Sequence, residues 1–312
     1  MSSQDMGSRQ ENWFLDQLSK SEFFHSKLHE WKMVEIAESI ENLQGEAYDW
    51  SDLAGLGITK KAWNRVIHRG IRPVTVFAHP QVLHTIPGAV RYYRMLAMVS
   101  QKSMDRVGLP IRSYEEGGRL PEADAANRIA QHLNRIISHL IEFDEKIHPR
   151  EFDLWRGMAA GAQAQGAWQN QKGAEAEQII KDKIQSLLRD RGLVASVSED
   201  GSVIHLHDGR RIVFGSDPDI EVCRGEQVLA AVEIKGGIDP AGAWERFGAT
   251  LKSLERVLSA HPKARAILII RASSLTPEIK NTLDNSPIEW FAFENLMADE
   301  QIMEELVKAM LS

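Results

Sequence analysis

The sequence predicts a two-part α/β (α+β) protein, a helical amino-terminal region followed by a mixed-sheet core flanked by helices. Three observations carry this. Apolar residues recur at three-to-four spacing through the first half, the period that turns one helix face inward. Residues 157–174 then switch to small and amide side chains with almost no charge. Beyond them the order is helix, several strands, helix and strand, which builds an α/β core on a mixed sheet.

In the first half, residues 11–44 carry Trp13, Phe14, Leu18, Phe23, Phe24, Leu28, Trp31, Val34 and Ile40 on an expected inward stripe. Val74–Phe77 reads as a strand or buried turn. Pro87 opens a helix to about Met104, since proline suits a first turn. Another helix spans Pro121 to about Phe143, with Ile129, Leu133, Ile136, Ile137 and Leu140 on its buried stripe. The sequence therefore divides into a helical region over 1–156, a linker over 157–172 and a second domain over 173–312.

The second domain begins with a helix from about Gly173 to Arg191. Residues 203–207 and 211–214 flank Asp208-Gly209, a dipeptide suited to a tight hairpin because glycine accepts positive φ. A strand over 219–223, a turn at Arg224-Gly225 and a strand over 228–235 follow. Asp239 and Pro240 are expected to start a helix whose buried face is Trp244, Phe247, Leu251, Leu254 and Leu258. A strand over 266–270, a helix from about Thr276, a strand over 288–293 and a last helix finish the chain.

Hydrophobic residues are 43% of the 312 and charged residues 26%, enough to fold around a substantial core. No apolar stretch approaches membrane length and the start lacks a secretory segment, so a cytoplasmic location is expected. Cys223 is the one cysteine, which excludes an internal disulfide and a multi-cysteine zinc site. The net charge is −7, but its distribution is uneven. Residues 1–59 hold 4 basic and 11 acidic groups, whereas 60–112 hold 10 basic groups against Asp105 alone. Gathering that excess on one surface calls for an anion, and nucleic acid fits. The alternative is that the acidic first segment neutralises it.

The chemistry concentrates in Pro218-Asp219, thirteen residues, then Glu233-Ile234-Lys235. Alternation along a strand sends Glu233 and Lys235 to one face and Ile234 to the core. Pairing through the Arg224-Gly225 turn brings Asp219 alongside Glu233. Two close carboxylates are tolerated when a hard divalent cation lies between them, so Mg²⁺ bound by Asp219 and Glu233 is expected. Lys235 would orient the attacking water and offset charge on a phosphorane-like transition state. Gly236-Gly237 leaves room for a backbone or phosphate to approach.

These residues resemble the signature of the PD-(D/E)xK nuclease superfamily, over about 100 residues. His79-Pro80, Pro87, Tyr92-Tyr93-Arg94, Leu96 and Ser100-Gln101-Lys102 ahead of that core are similar to type II restriction endonucleases of the XcyI family. The resemblance implies a restriction-endonuclease-like core and a homodimer that cuts both strands of a short DNA palindrome with Mg²⁺, leaving 5′-phosphates. It suggests CCCGGG as the site. It assigns residues 1–156 to DNA recognition and dimerisation and 173–312 to the nuclease. Asp219, Glu233 and Lys235 are then catalytic, and Arg91, Arg94 and Lys102 are candidate DNA contacts.

Superfamily members often add an acid from the first core helix. Glu177 shares the inward stripe of Ile180 and Ile184, while Glu175 is rotated away, so Glu177 is the fourth candidate. Asp217 shares a strand face with Asp219 and competes for its place. His205 and His207 share a face too, without a third ligand at a recognisable spacing. No phosphate-binding loop, serine-nucleophile motif or zinc-protease motif is present. A structure-specific repair or junction nuclease and a non-catalytic DNA-binding regulator remain the alternative readings.

Overall fold

The computed structural model describes residues 3–143, 146–236 and 243–312, with side chains from residue 14 onward apart from positions 46 and 243–246. Contacts divide the chain into two units, Met1–Gly166 and Ala167–Ser312.

The first unit is helical: α1 (Ser3–Glu30), α2 (Met33–Glu41), α3 (Lys60–His68), α4 (Pro80–Thr85), α5 (Ala89–Leu96), α6 (Gln101–Arg106), α7 (Arg112–Glu115), α8 (Ala123–Phe143) and the start of α9 (Glu151–Asp190). Its core gathers Val66, Phe77, Leu83, Tyr93, Leu96, Leu133 and Ile137. Val74 lies in a short 3-10 turn, Pro73–Thr75, and is buried. Tyr92 and Tyr93 donate their hydroxyls to the carbonyls of Thr75 and Val74 and lock that turn against α5. His79 caps α4 by accepting from Gln81 N–H, and Pro80 fills the first helical position. Asn134 on α8 is fully buried and saturated, accepting from Ala78 N–H and donating to the carbonyls of Leu56 and Ala78.

Two expectations fail here. The inward stripe of the first helix is mostly outside: Phe14 is 62% exposed, and Leu18, Leu28 and Val34 are exposed as well. Among the described residues, packing catches the later part of that region, where Trp31 and Phe24 meet Met95, Ala160 and Ala164 and where Ile40 of α2 joins the main core. The expected phosphate contacts Arg91 and Arg94 are buried. Arg94 forms a two-pronged ion pair with buried Glu115, Nε to Oε1 at 2.6 Å and Nη2 to Oε2 at 3.0 Å. Arg91 donates to the carbonyls of Trp31 and Glu115.

The basic excess has a structural use. Helices end with unpaired carbonyls at the negative end of the dipole. Arg65 donates to Ile141 O near the end of α8, Arg72 to the carbonyls of Glu41 and Leu43 at the end of α2, and Arg69 to Ile147 O. Neutralisation thus comes largely from main-chain oxygens and from Glu115. Arg69 and Arg72 are nonetheless exposed, as are Lys60, Lys61, Lys102, Arg106 and Arg112.

The second unit is a seven-stranded sheet in sequential order: β1 (Val194–Val197), β2 (Val203–Leu206), β3 (Arg211–Phe214), β4 (Ile220–Arg224), β5 (Gln227–Lys235), β6 (Arg265–Ile270) and β7 (Ile288–Ala292). β1 to β5 run antiparallel, and β5, β6 and β7 run parallel. The parallel pairs need crossovers, which α10 (Ala243–Ala260) and α11 (Pro277–Asp284) supply. α12 (Phe293–Ala298) and α13 (Glu300–Leu311) close the chain.

One sheet face packs Val232 and Ile234 against Ala176, Ile180 and Ile184 of α9 and Leu306 of α13. The other packs Ala231, Leu268 and Ile270 against Phe247 and Leu254 of α10 and Ile279 of α11. Gly209 has φ +84 at the β2–β3 turn, as the hairpin dipeptide requires. β1, absent from the expected order, is a short and largely exposed edge. Residues 157–172, expected as a linker, are helical within α9. Asp239 and Pro240 lie outside the described residues, as does the side chain of Trp244.

Candidate active site

Asp219 stands immediately before β4, and Glu233 and Lys235 end β5. Ile220 pairs with Val232, so Asp219 meets the carboxyl end of β5. Its Oδ2 accepts from Ile234 N–H at 2.6 Å and lies 4.0 Å from Lys235 Nζ. Lys235 Nζ also pairs with Glu233 Oε1. Asp219 and Glu233 are buried, whereas Lys235 is partly exposed. Ile234 points the other way and is core. Alternation along β5 therefore places acid and amine together, as the spacing predicts.

Glu233 Oε2 is buried without a hydrogen-bond partner among the described residues. Such an oxygen is costly unless a cation or water meets it. Burial is the main cause that pushes the Asp219 and Glu233 carboxyls above their ordinary range, against the lowering effects of Ile234 N–H on Asp219 and of Lys235 on both. With Asp219 Oδ2 and Glu233 Oε1 engaged, Asp219 Oδ1 and Glu233 Oε2 are left as hard donors. That is chemistry suited to Mg²⁺. Among the described residues, no set of three or more His, Cys, Asp or Glu is gathered for a metal, and His205 and His207 are exposed.

The choice between Glu175 and Glu177 follows their neighbours. Burial, then the charge of Asp219, raises the Glu177 carboxyl, which also feels Lys235. Glu175 is engaged by Gln171 and Lys172, and those contacts, with Gln171 the largest, hold its carboxyl low. Asp217 is exposed and accepts from Ser253 and Arg256, beside a cleft of about 210 Å³ rather than between the two buried acids.

Two cations escaped the sequence reading. Lys181, one turn after Glu177, lies 3.8 Å from its Oε2 and donates to Gly215 O at 3.5 Å, joining α9 to the loop before β4. The i, i+4 spacing to Glu177 was the available signal. Arg271, just past β6, donates from Nε to Gly236 O at 2.8 Å and stacks over Phe293 at 4.5 Å, fixing the chain that leaves Lys235. Only the tertiary fold makes it a neighbour.

A family model described as XcyI restriction endonuclease matches residues 51–271, well over half of the chain. The chain belongs to the XcyI restriction endonuclease family. It is 28% identical over 215 residues to the type II restriction enzyme Cfr9I of Citrobacter freundii, covering 63% of this chain and 62% of that protein. It is also 28% identical over 221 residues to the type II restriction enzyme XcyI of Xanthomonas campestris pv. cyanopsidis, covering 64% of this chain and 62% of that one. The chain thus spans 62% of the length of each of these relatives.

In this XcyI-family chain, Gly236 has a use other than a ligand. A Cβ there would stand 2.2 Å from Ala176 Cβ on α9 and 3.3 Å from Gly173 O. The close approach is by the helix that carries Glu177. Gly236→Ala is expected to destabilise the unit by about 1–3 kcal/mol through overpacking and to move Glu177 outward. Urea unfolding of Gly236→Ala and of Gly236→Ala with Ala176→Gly checks this, the second change restoring part of the loss.

Proposed function

We propose that the chain is a Mg²⁺-dependent type II restriction endonuclease, cutting duplex DNA at a short palindrome to leave 5′-phosphate ends and acting in the cytoplasm. The observation that carries this is the convergence of buried Asp219 and Glu233, one oxygen of the latter unpartnered, with Lys235 at the end of β5. Family membership supports it, and both relatives carry the name type II restriction enzyme. CCCGGG is the site that resemblance suggests.

Asp219 and Glu233 would hold the ion, and Ile234 N–H and Lys235 fix the orientation of their carboxylates. Bound Mg²⁺ polarises a scissile phosphate and lowers the pKa of water. Lys235 Nζ, partly exposed between the two acids, donates to the attacking water and offsets charge building on the phosphoryl oxygens. Glu177, with its carboxyl raised, accepts a proton or a water from the side of α9.

A palindrome is two-fold symmetric, so a homodimer belongs to the same proposal. The exposed Phe14, Leu15 and Leu18 of α1 are apolar surface that a second copy would cover. Lys102 is exposed and without an ion pair among the described residues, so it stays a candidate phosphate contact. Digestion of a sequenced plasmid with purified protein and Mg²⁺, followed by end mapping, tests the function. Discrete ends with 5′-phosphates support it, and an intact plasmid refutes it.

The metal assignment has its own test. A carboxyl raised by burial favours the fold most when protonated, and that contribution is lost as pH rises through its folded value. At pH 8 without metal the two buried charges therefore oppose folding. Mg²⁺ should raise the melting temperature there, and the rise should fade as acid protonates the pair, beginning above the usual carboxylate range. Asp219→Asn should melt higher than wild type without metal and lose the Mg²⁺ response.

A further inference from the structure

The first unit contains a recess of about 470 Å³ whose lining mixes apolar side chains such as Met98 with Gln101, Lys102, Asp105, Arg112 and Gln163, with Arg94 beside them. We propose that this recess reads the edge of a DNA base or base pair, with Gln101 and Gln163 as specificity-determining residues. The assignment rests on the endonuclease reading and adds where that enzyme would read sequence.

A guanidinium can only donate. Arg94 Nη2 donates to Gln163 Oε1 at 2.7 Å, which turns the Gln163 carbonyl inward and leaves its amine with no partner among the described residues. A carboxylate can only accept. Glu115 Oε2 accepts from Gln101 Nε2 at 2.8 Å, with Glu116 Oε1 a second acceptor at 3.3 Å, so the Gln101 carbonyl is the half left over. One buried pair thus fixes the polarity of both amides, and the recess is offered one donor and one acceptor.

Major-groove edges call for that combination. Adenine presents an acceptor beside a donor, and a G·C pair presents guanine acceptors beside the cytosine amine. Exposed Lys102 and Arg112 at the same recess suit flanking phosphates, which fix register without reading sequence. Met98 holds φ +53, a left-handed conformation uncommon outside glycine, where the chain turns from α5 toward α6. Recognition groups work best when neighbouring contacts lock them, and the Arg94–Glu115 pair does so for both amides.

Gln163→Glu separates this role from packing. It keeps an oxygen for Arg94 and replaces the amine with an acceptor, and the two arginines around one Glu115 can accommodate the added charge. The readouts are melting temperature and kcat/KM on the mapped site and on its single-base-pair variants at fixed salt. The expected result is an unchanged melting temperature, cleavage of the mapped site slower by about 10- to 100-fold, and an altered ranking at one position of each half-site. Gln101→Met removes the acceptor together with the amine bonded to Glu115, so its melting temperature is read alongside, and it should weaken the same or the adjacent position. Wild-type kcat/KM and ranking in both variants would overturn the assignment while leaving the nuclease intact. A wild-type protein that neither binds nor cuts duplex DNA would instead refute the underlying function and this assignment with it.

Discussion

Lys235→Ala is expected to yield a folded protein that still binds duplex DNA and responds to Mg²⁺, yet cleaves at least about 10³ times more slowly. The side chain is partly exposed at the end of β5, so its removal leaves no cavity in either core. It does remove the one cation paired with Glu233 and the nearest to Asp219 among the described residues. The carboxylates keep their oxygens for an ion, so a melting shift with Mg²⁺ should survive in Lys235→Ala and vanish in Asp219→Asn. That contrast distinguishes loss of the amine from loss of a metal ligand. Single-turnover cleavage with the enzyme in excess, alongside binding in Ca²⁺, measures it. Wild-type cleavage by Lys235→Ala would place the chemistry elsewhere.

The largest stability effect is expected at Glu115. Its side chain is fully buried and faces Arg94 at 2.6 Å and Arg91 at 3.7 Å. Arg91 Nε is already buried without a hydrogen bond, and burial is the main cause that lowers the guanidinium below its ordinary range. Glu115→Ala would leave two buried cations uncompensated, a loss of about 3–5 kcal/mol. Arg94→Ala should cost less but still destabilise, because Glu115 keeps Gln101 at 2.8 Å and Arg91 at 3.7 Å while the carbonyl of Val99 loses its donor. Denaturant unfolding checks both. If these arginines bound phosphate instead, their removal would leave stability near wild type and flatten the salt dependence of DNA binding.

The second unit was readable because its signals are local. Asp208-Gly209 marks a hairpin, Arg224-Gly225 marks the next turn, and alternation fixes which β5 side chains share a face. Together with the spacing from Asp219, that brings the acids and amine to one place. β1 was hidden because a four-residue exposed edge has neither a buried run nor a clean alternation. The stretch 157–172 does contain the division between the two units, but its alanines and glutamines are good helix formers, so the chain passes through it as helix. The arginines misled for a different reason. Sequence counts charges but does not show which carbonyls and carboxylates stand beside them, and Arg65, Arg69, Arg72, Arg91 and Arg94 all find such partners through contacts distant along the chain.

On the endonuclease reading, committing these guanidinium groups to the protein's own acceptors has a kinetic corollary. Attraction to arbitrary duplex grows with the number of phosphates neutralised, roughly one counterion released for each. An acidic chain in which Arg65, Arg69, Arg72, Arg91 and Arg94 are engaged by its own carbonyls and Glu115 would grip unrelated DNA weakly and leave it quickly. Discrimination would then come from the cognate contacts rather than from slow escape off the wrong ones, and moderate ionic strength should erode turnover at the target less than it erodes background adsorption.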